Sequence, residues 1–85
     1  MAQEWEPRDP NFLIGDTPWL ARMSDKARAK AAGTIGDYIY PCPIDNQLLR
    51  KLGIGADEFM QLAVDNPTDE GLVQALQQRV RQGPK

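Results

Sequence analysis

Pro41 and Pro43 stand two residues apart at the centre of an 85-residue chain, and no other feature limits its fold so much. A proline inside a helix removes a hydrogen bond and collides with the preceding turn, and prolines at alternate positions cannot serve a central strand. The segment GTIGDYIYPCP, residues 33–43, places Gly33 and Gly36 ahead of the prolines, with Tyr38-Ile39-Tyr40 between, a trio that favours extended backbone. Regular structure before residue 33 and after residue 43 must therefore form separate elements, joined by a rigid, ordered connection.

The flanking segments read as helices. Thr17-Pro18 offers a hydroxyl cap and a proline at the first helical position. Good helix formers follow to Ala32, with Leu20, Met23, Ala27 and Ala31 on one narrow apolar face and Gly33 as the stop. Beyond the prolines, Asp45 suits the cap of a short second helix, and Ile44 is placed to staple against Leu49. Leu48, Leu49 and Leu52 make its buried face; Gly53 terminates it, and Ile54 folds back onto Leu49 in a Schellman arrangement. A third helix starts near Ala56, carries Asp57 and Glu58 in its first turn, turns Phe59, Leu62 and Ala63 inward with Met60 and Val64 at the flanks, and ends at Asn66-Pro67. Thr68 caps a fourth, with Leu72, Val73, Leu76 and Val80 along one face, Arg79 and Arg81 near its end, and Gly83-Pro84 closing it. The fold class predicted is all-α: a small orthogonal bundle of about four helices. Residues 1–16, with Pro7 and Pro10, form an extended N-terminal arm anchored by Trp5 and Phe12-Leu13-Ile14, and residues 17–85 form a single helical domain.

The residues that are missing exclude much chemistry. Without histidine there is no Cys/His zinc site, no Ser-His-Asp triad, no Cys-His nucleophile and no histidine pH switch. Cys42 stands alone, so no intramolecular disulfide forms, and a reducing cytoplasm is the expected compartment. Apolar runs of three residues span no membrane, and no secretory signal is expected from the acidic stretch MAQEWEPRDP. No cofactor or metal is expected.

The run LARMSDKARAKAAGTIGDYIYPCPIDNQLLRKLGIGADEF carries a composite pattern: Asp25 to Lys30, then Gly33, Gly36, Tyr38, Tyr40, Cys42, Pro43, Asp45, and Leu48 to Ile54, in fixed order and spacing. It resembles the bacterial domain-of-unknown-function family 5069, and the later Thr68-Asp69-Glu70 helix start also fits. The resemblance covers roughly half the chain and implies a shared fold; it implies no activity.

Three groups of side chains are candidates for function. Arg22, Lys26 and Lys30, successive i, i+4 neighbours, make a basic stripe with Arg28 on another side, in a chain of net charge −2. Tyr38 and Tyr40 would share a side of an extended segment, offering rigid contact area beside Cys42. Each has a plain alternative: a solvated face for the cations, core packing for the rings, a small buried side chain for the cysteine. Together Arg22, Lys26, Arg28, Lys30, Tyr38, Tyr40 and Cys42 suggest a non-enzymatic interaction or ligand-binding module whose partner is a protein or a small anionic ligand, with no catalytic residue. The runner-up is a small cysteine-dependent enzyme or redox protein built on Cys42, which needs a lysine, an arginine or a helix N-terminus nearby. A nucleic-acid accessory domain is disfavoured by overall acidity, and Gly33-Thr34-Ile35-Gly36 is a bare G-x-x-G. No membrane partner is expected, and a monomer is favoured over a homodimer because the arm can cover its own body.

Overall fold

A computed structural model describes residues 6–82 and contains α1 (Leu20–Ala32), α2 (Pro43–Leu52), α3 (Ala56–Asp65) and α4 (Asp69–Gln82), with no strand among them. The protein is an all-α bundle. Trp5 and the Gly83-Pro84 stop lie outside the described residues, as do the side chains of Val80 and Arg81.

The core forms where the apolar stripes meet. Leu20, Met23 and Ala27 of α1, Leu49 of α2, Phe59 and Ala63 of α3, and Leu72 and Leu76 of α4 are all buried in one cluster with Ile14, Tyr40 and Ile54. Helix α1 packs chiefly on α3, which also receives α2 and α4. Small residues on α1 permit the close approach: Ala21 and Ala27 retain no exposed surface.

Both glycine stops act as read from the sequence. Gly33 and Gly53 adopt φ 78 and φ 71, a left-handed conformation that costs a residue with a Cβ. Gly33 N donates to Lys30 O and Thr34 N to Ala29 O, while Gly53 N donates to Arg50 O and Ile54 N to Leu49 O. These are paired Schellman bonds, and Ile54 packs with Leu49 in the core.

Two helix starts differ from expectation. Thr17 does not cap α1. Its amide and carbonyl pair with Ile14 in an isolated bridge across Gly15-Asp16, with Gly15 at φ 62 as a two-residue turn requires. The cap position falls to Trp19 at φ 74, with no side-chain cap bond. A left-handed tryptophan costs roughly 1–2 kcal/mol. It is held there because Trp19 N donates to Pro10 O at 2.9 Å and its indole reaches across to α2.

The second start is Cys42, not Asp45. Pro43 occupies the first helical position, where its missing N–H is no loss, and Cys42 is extended at φ −90. Asp45 is the third helical residue and closes a capping box, so Ile44 falls inside the first turn, past the pre-cap position that a staple needs, and remains 47% exposed. Thr68 does cap α4, accepting from Gly71 N at 3.0 Å.

Candidate functional site

The site is built around the start of α2. Asp45 Oδ2 accepts from Cys42 N at 3.0 Å, and Cys42 Sγ accepts from Asp45 N at 3.4 Å. This is the reciprocal box usually made by Ser or Thr with Glu, here made by a thiol and an aspartate. Asp45 retains no exposed surface, yet its carboxylate is fully partnered: Trp19 Nε1 donates to Oδ1 at 2.6 Å and Lys26 Nζ lies 2.9 Å from Oδ2.

Lys26 completes the arrangement from α1. Its three ammonium hydrogens match three acceptors: Asp45 Oδ2, Ile39 O at 3.0 Å and Cys42 Sγ at 3.4 Å. The indole of Trp19 covers it at 5.6 Å from the ring centroid. Such full satisfaction is what makes a buried charge tolerable. Among the described residues, no buried side-chain nitrogen or oxygen lacks a partner.

The expected open basic stripe is therefore not what the fold presents. Lys26 is buried at 3% exposure. Arg28 is half-buried and donates to Ala63 O and Asn66 O, both at 2.9 Å, satisfying carbonyls at the end of α3. Burial holds its pKa below the ordinary value. Lys30, exposed along its length, donates to Tyr40 O at 2.9 Å. Arg22 lies 5.6 Å from the ring centroids of both Trp19 and Tyr38 and donates to Arg8 O at 3.1 Å.

The two tyrosines part company. Tyr40 is buried beside Phe59, and its hydroxyl donates to Ala56 O at 2.6 Å, so burial raises its pKa well above the ordinary 10.0. Tyr38 is half-buried against Arg22. The segment does not run straight: the Tyr40–Pro41 peptide is cis. Ile39, between the two rings, is 67% exposed.

A second ionic cluster escaped the sequence reading. Arg8, in the arm, bonds Asp25 through Nε at 2.9 Å and Asp69 through Nη1 at 2.7 Å, and its amide also donates to Asp25. Asp25 thereby joins the arm to α1, and Asp69 joins it to the start of α4. Arg8 was visible only as the one cation of an acidic arm, and Asp25 as the one acid in a basic helix. That reciprocal isolation is the signal that pairs them.

The fold and this buried network together define a small helical domain organised by internal charge pairs. The chain belongs to the family described as domain of unknown function (DUF5069), whose family model matches residues 4–85. Comparison with curated proteins finds no match. No group of three or more metal-ligating side chains occurs among the described residues, and no helix there is long and apolar enough to cross a membrane.

Proposed function

We propose that this domain is a cytoplasmic protein-interaction module whose contact surface is the outer side of the connection at Tyr38 and Ile39 together with the first turn of α2 at Ile44. The observation that carries this reading is a rigid turn with isoleucines facing out. Lys26 holds the Ile39 carbonyl from beneath, Lys30 holds the Tyr40 carbonyl, and the Tyr40 hydroxyl is fixed to Ala56. Above these anchors Ile39 and Ile44 remain 67% and 47% exposed. Ile44, Gln47 and Lys51 follow one another along an exposed stripe of α2 at helical spacing. Exposed apolar side chains on a preorganised backbone bind with little further ordering cost.

The partner this surface fits is a protein with an apolar recess and an acidic rim, for which Lys30, Arg22 and Lys51 supply the complement. A protein suits the surface better than a small anion does, because the cations with the deepest seats are already spent on internal carbonyls and carboxylates. A photo-crosslinking residue at position 39, compared with one at exposed Gln74 on α4, tests the proposal in cells. A partner captured at 39, absent at 74 and lost in I44D, supports it. Equal capture at both positions overturns it.

A second reading, cysteine-dependent redox chemistry, is favoured by one observation: the neighbours such a thiol needs, a lysine and a helix N-terminus, both touch Cys42 Sγ. Slow alkylation of native Cys42, no faster than that of a free thiol control, would remove it.

A further inference from the structure

Lys26 and Cys42 form a pair whose chemistry is distinct from docking. Lysines are almost never fully buried unless paired. Here Nζ is fixed by Asp45 and the Ile39 carbonyl, with 3.4 Å to Sγ, and the lysine side chain keeps 4% of its surface. Cys42 itself is half-buried and stands outside the apolar core cluster. A sulfenic acid formed there meets an immobilised amine before it meets another thiol, since the chain has no second cysteine.

We propose that Lys26 Nζ and Cys42 Sγ are joined by peroxide into a reversible sulfenamide, a covalent tie between α1 and the start of α2. In the first step the Cys42 sulfur attacks one peroxide oxygen. The S–O bond forms as the O–O bond breaks, the departing hydroxide takes the thiol proton and leaves as water, and sulfur is oxidised by two electrons as the peroxide is reduced. In the second step one Lys26 proton passes to the Asp45 carboxylate, 2.9 Å away, and the freed lone pair attacks sulfur. The S–N bond forms as the S–O bond breaks, and the departing hydroxide takes a second proton from nitrogen and leaves as water. Nitrogen keeps one hydrogen, and no further oxidant is consumed. An added thiol reverses the link: it attacks sulfur, the S–N bond breaks, nitrogen regains its protons, and a second thiol resolves the mixed disulfide.

The test uses the whole chain treated with hydrogen peroxide at equal concentration. Intact mass falls by two hydrogens, the free thiol disappears, and digestion yields one peptide carrying both Lys26 and Cys42; dithiothreitol restores the starting mass. K26R blocks the link and leaves a sulfenic acid that dimedone traps, whereas C42S shows neither the loss of two hydrogens nor a dimedone adduct. Should either variant fold poorly, the wild-type peptide map decides alone. Full trapping of wild-type protein by dimedone, oxygen retained between Lys26 Nζ and Cys42 Sγ, or linkage to Lys30 in place of Lys26 would each overturn the proposal.

Discussion

Lys26 Nζ lies 2.9 Å from Asp45 Oδ2, with side-chain exposures of 4% and 0%. A pair this deep contributes little against a well-packed apolar substitute, because desolvating both ions offsets their attraction. Removing one partner is another matter, since the other is stranded. We expect K26M to cost about 3–5 kcal/mol of unfolding free energy in urea. The double variant K26M/D45N should lose clearly less than the sum of the single losses, because asparagine carries no charge to strand. Strict additivity would show that the pair is not coupled.

The arm strap gives a pH dependence. Its bonds to Arg8 hold Asp69 below its ordinary pKa of 3.8. A carboxylate with a depressed folded pKa contributes stability that is present above its unfolded value and is lost as pH falls through the folded one. The window is therefore below about pH 4, and the size is under about 1 kcal/mol because the pair is partly exposed to water. Wild type should lose stability faster than R8A on acidification across that window. Parallel acid limbs in a pH series of chemical denaturation would contradict this.

At the alkaline end the sign reverses. Tyr40 has a raised pKa in the fold, so its contribution is intact below about pH 10, the ordinary tyrosine value, and fades as pH rises above it. Y40F should remove that alkaline dependence and cost about 1 kcal/mol at neutral pH through the lost bond to Ala56 O. An unchanged alkaline limb in the variant would place the dependence elsewhere.

Gly53 isolates backbone strain from packing. A Cβ there meets nothing within 4 Å, so G53A tests only the left-handed φ of 71. The expected loss is roughly 1 kcal/mol, with the melting transition still cooperative. A stabilised G53A would show that the α2 terminus tolerates a right-handed end.

I39D probes the proposed contact surface without touching the core. With Ile39 67% exposed, unfolding free energy should stay within about 0.5 kcal/mol of wild type. A larger loss would reassign Ile39 to packing.

What the sequence disclosed and what it hid have different physical origins. Helix stops were legible because Gly33 and Gly53 act through their own backbone, and Leu49 with Ile54 confirms the local motif. The apolar stripes of α3 and α4 followed from spacing alone. The start of α1 was less legible because tertiary bonds outweighed local preference: Thr17 is spent on Ile14, and Trp19 turns left-handed to meet Pro10 and Asp45. The start of α2 was written in Cys42-Pro43-Ile44-Asp45, a capping box with sulfur in place of a hydroxyl. Spacing places Arg22, Lys26 and Lys30 at successive i, i+4 positions of α1, but periodicity carries no sign of whether a cation faces water or a buried carboxylate 19 residues later in the chain.

The destinations of the cations on α1 bear on how the domain comes apart. Arg22 closes on the arm, Lys26 on the start of α2, Arg28 on the end of α3, and Lys30 on the connection. Each neighbour that departs leaves a charge on the same helix without its acceptors. Opening of the arm, the connection, the start of α2 or the end of α3 is thus coupled to the rest through α1, most of all at buried Lys26. In so small a chain, cooperativity comes from where charged side chains end as much as from the apolar face beneath them.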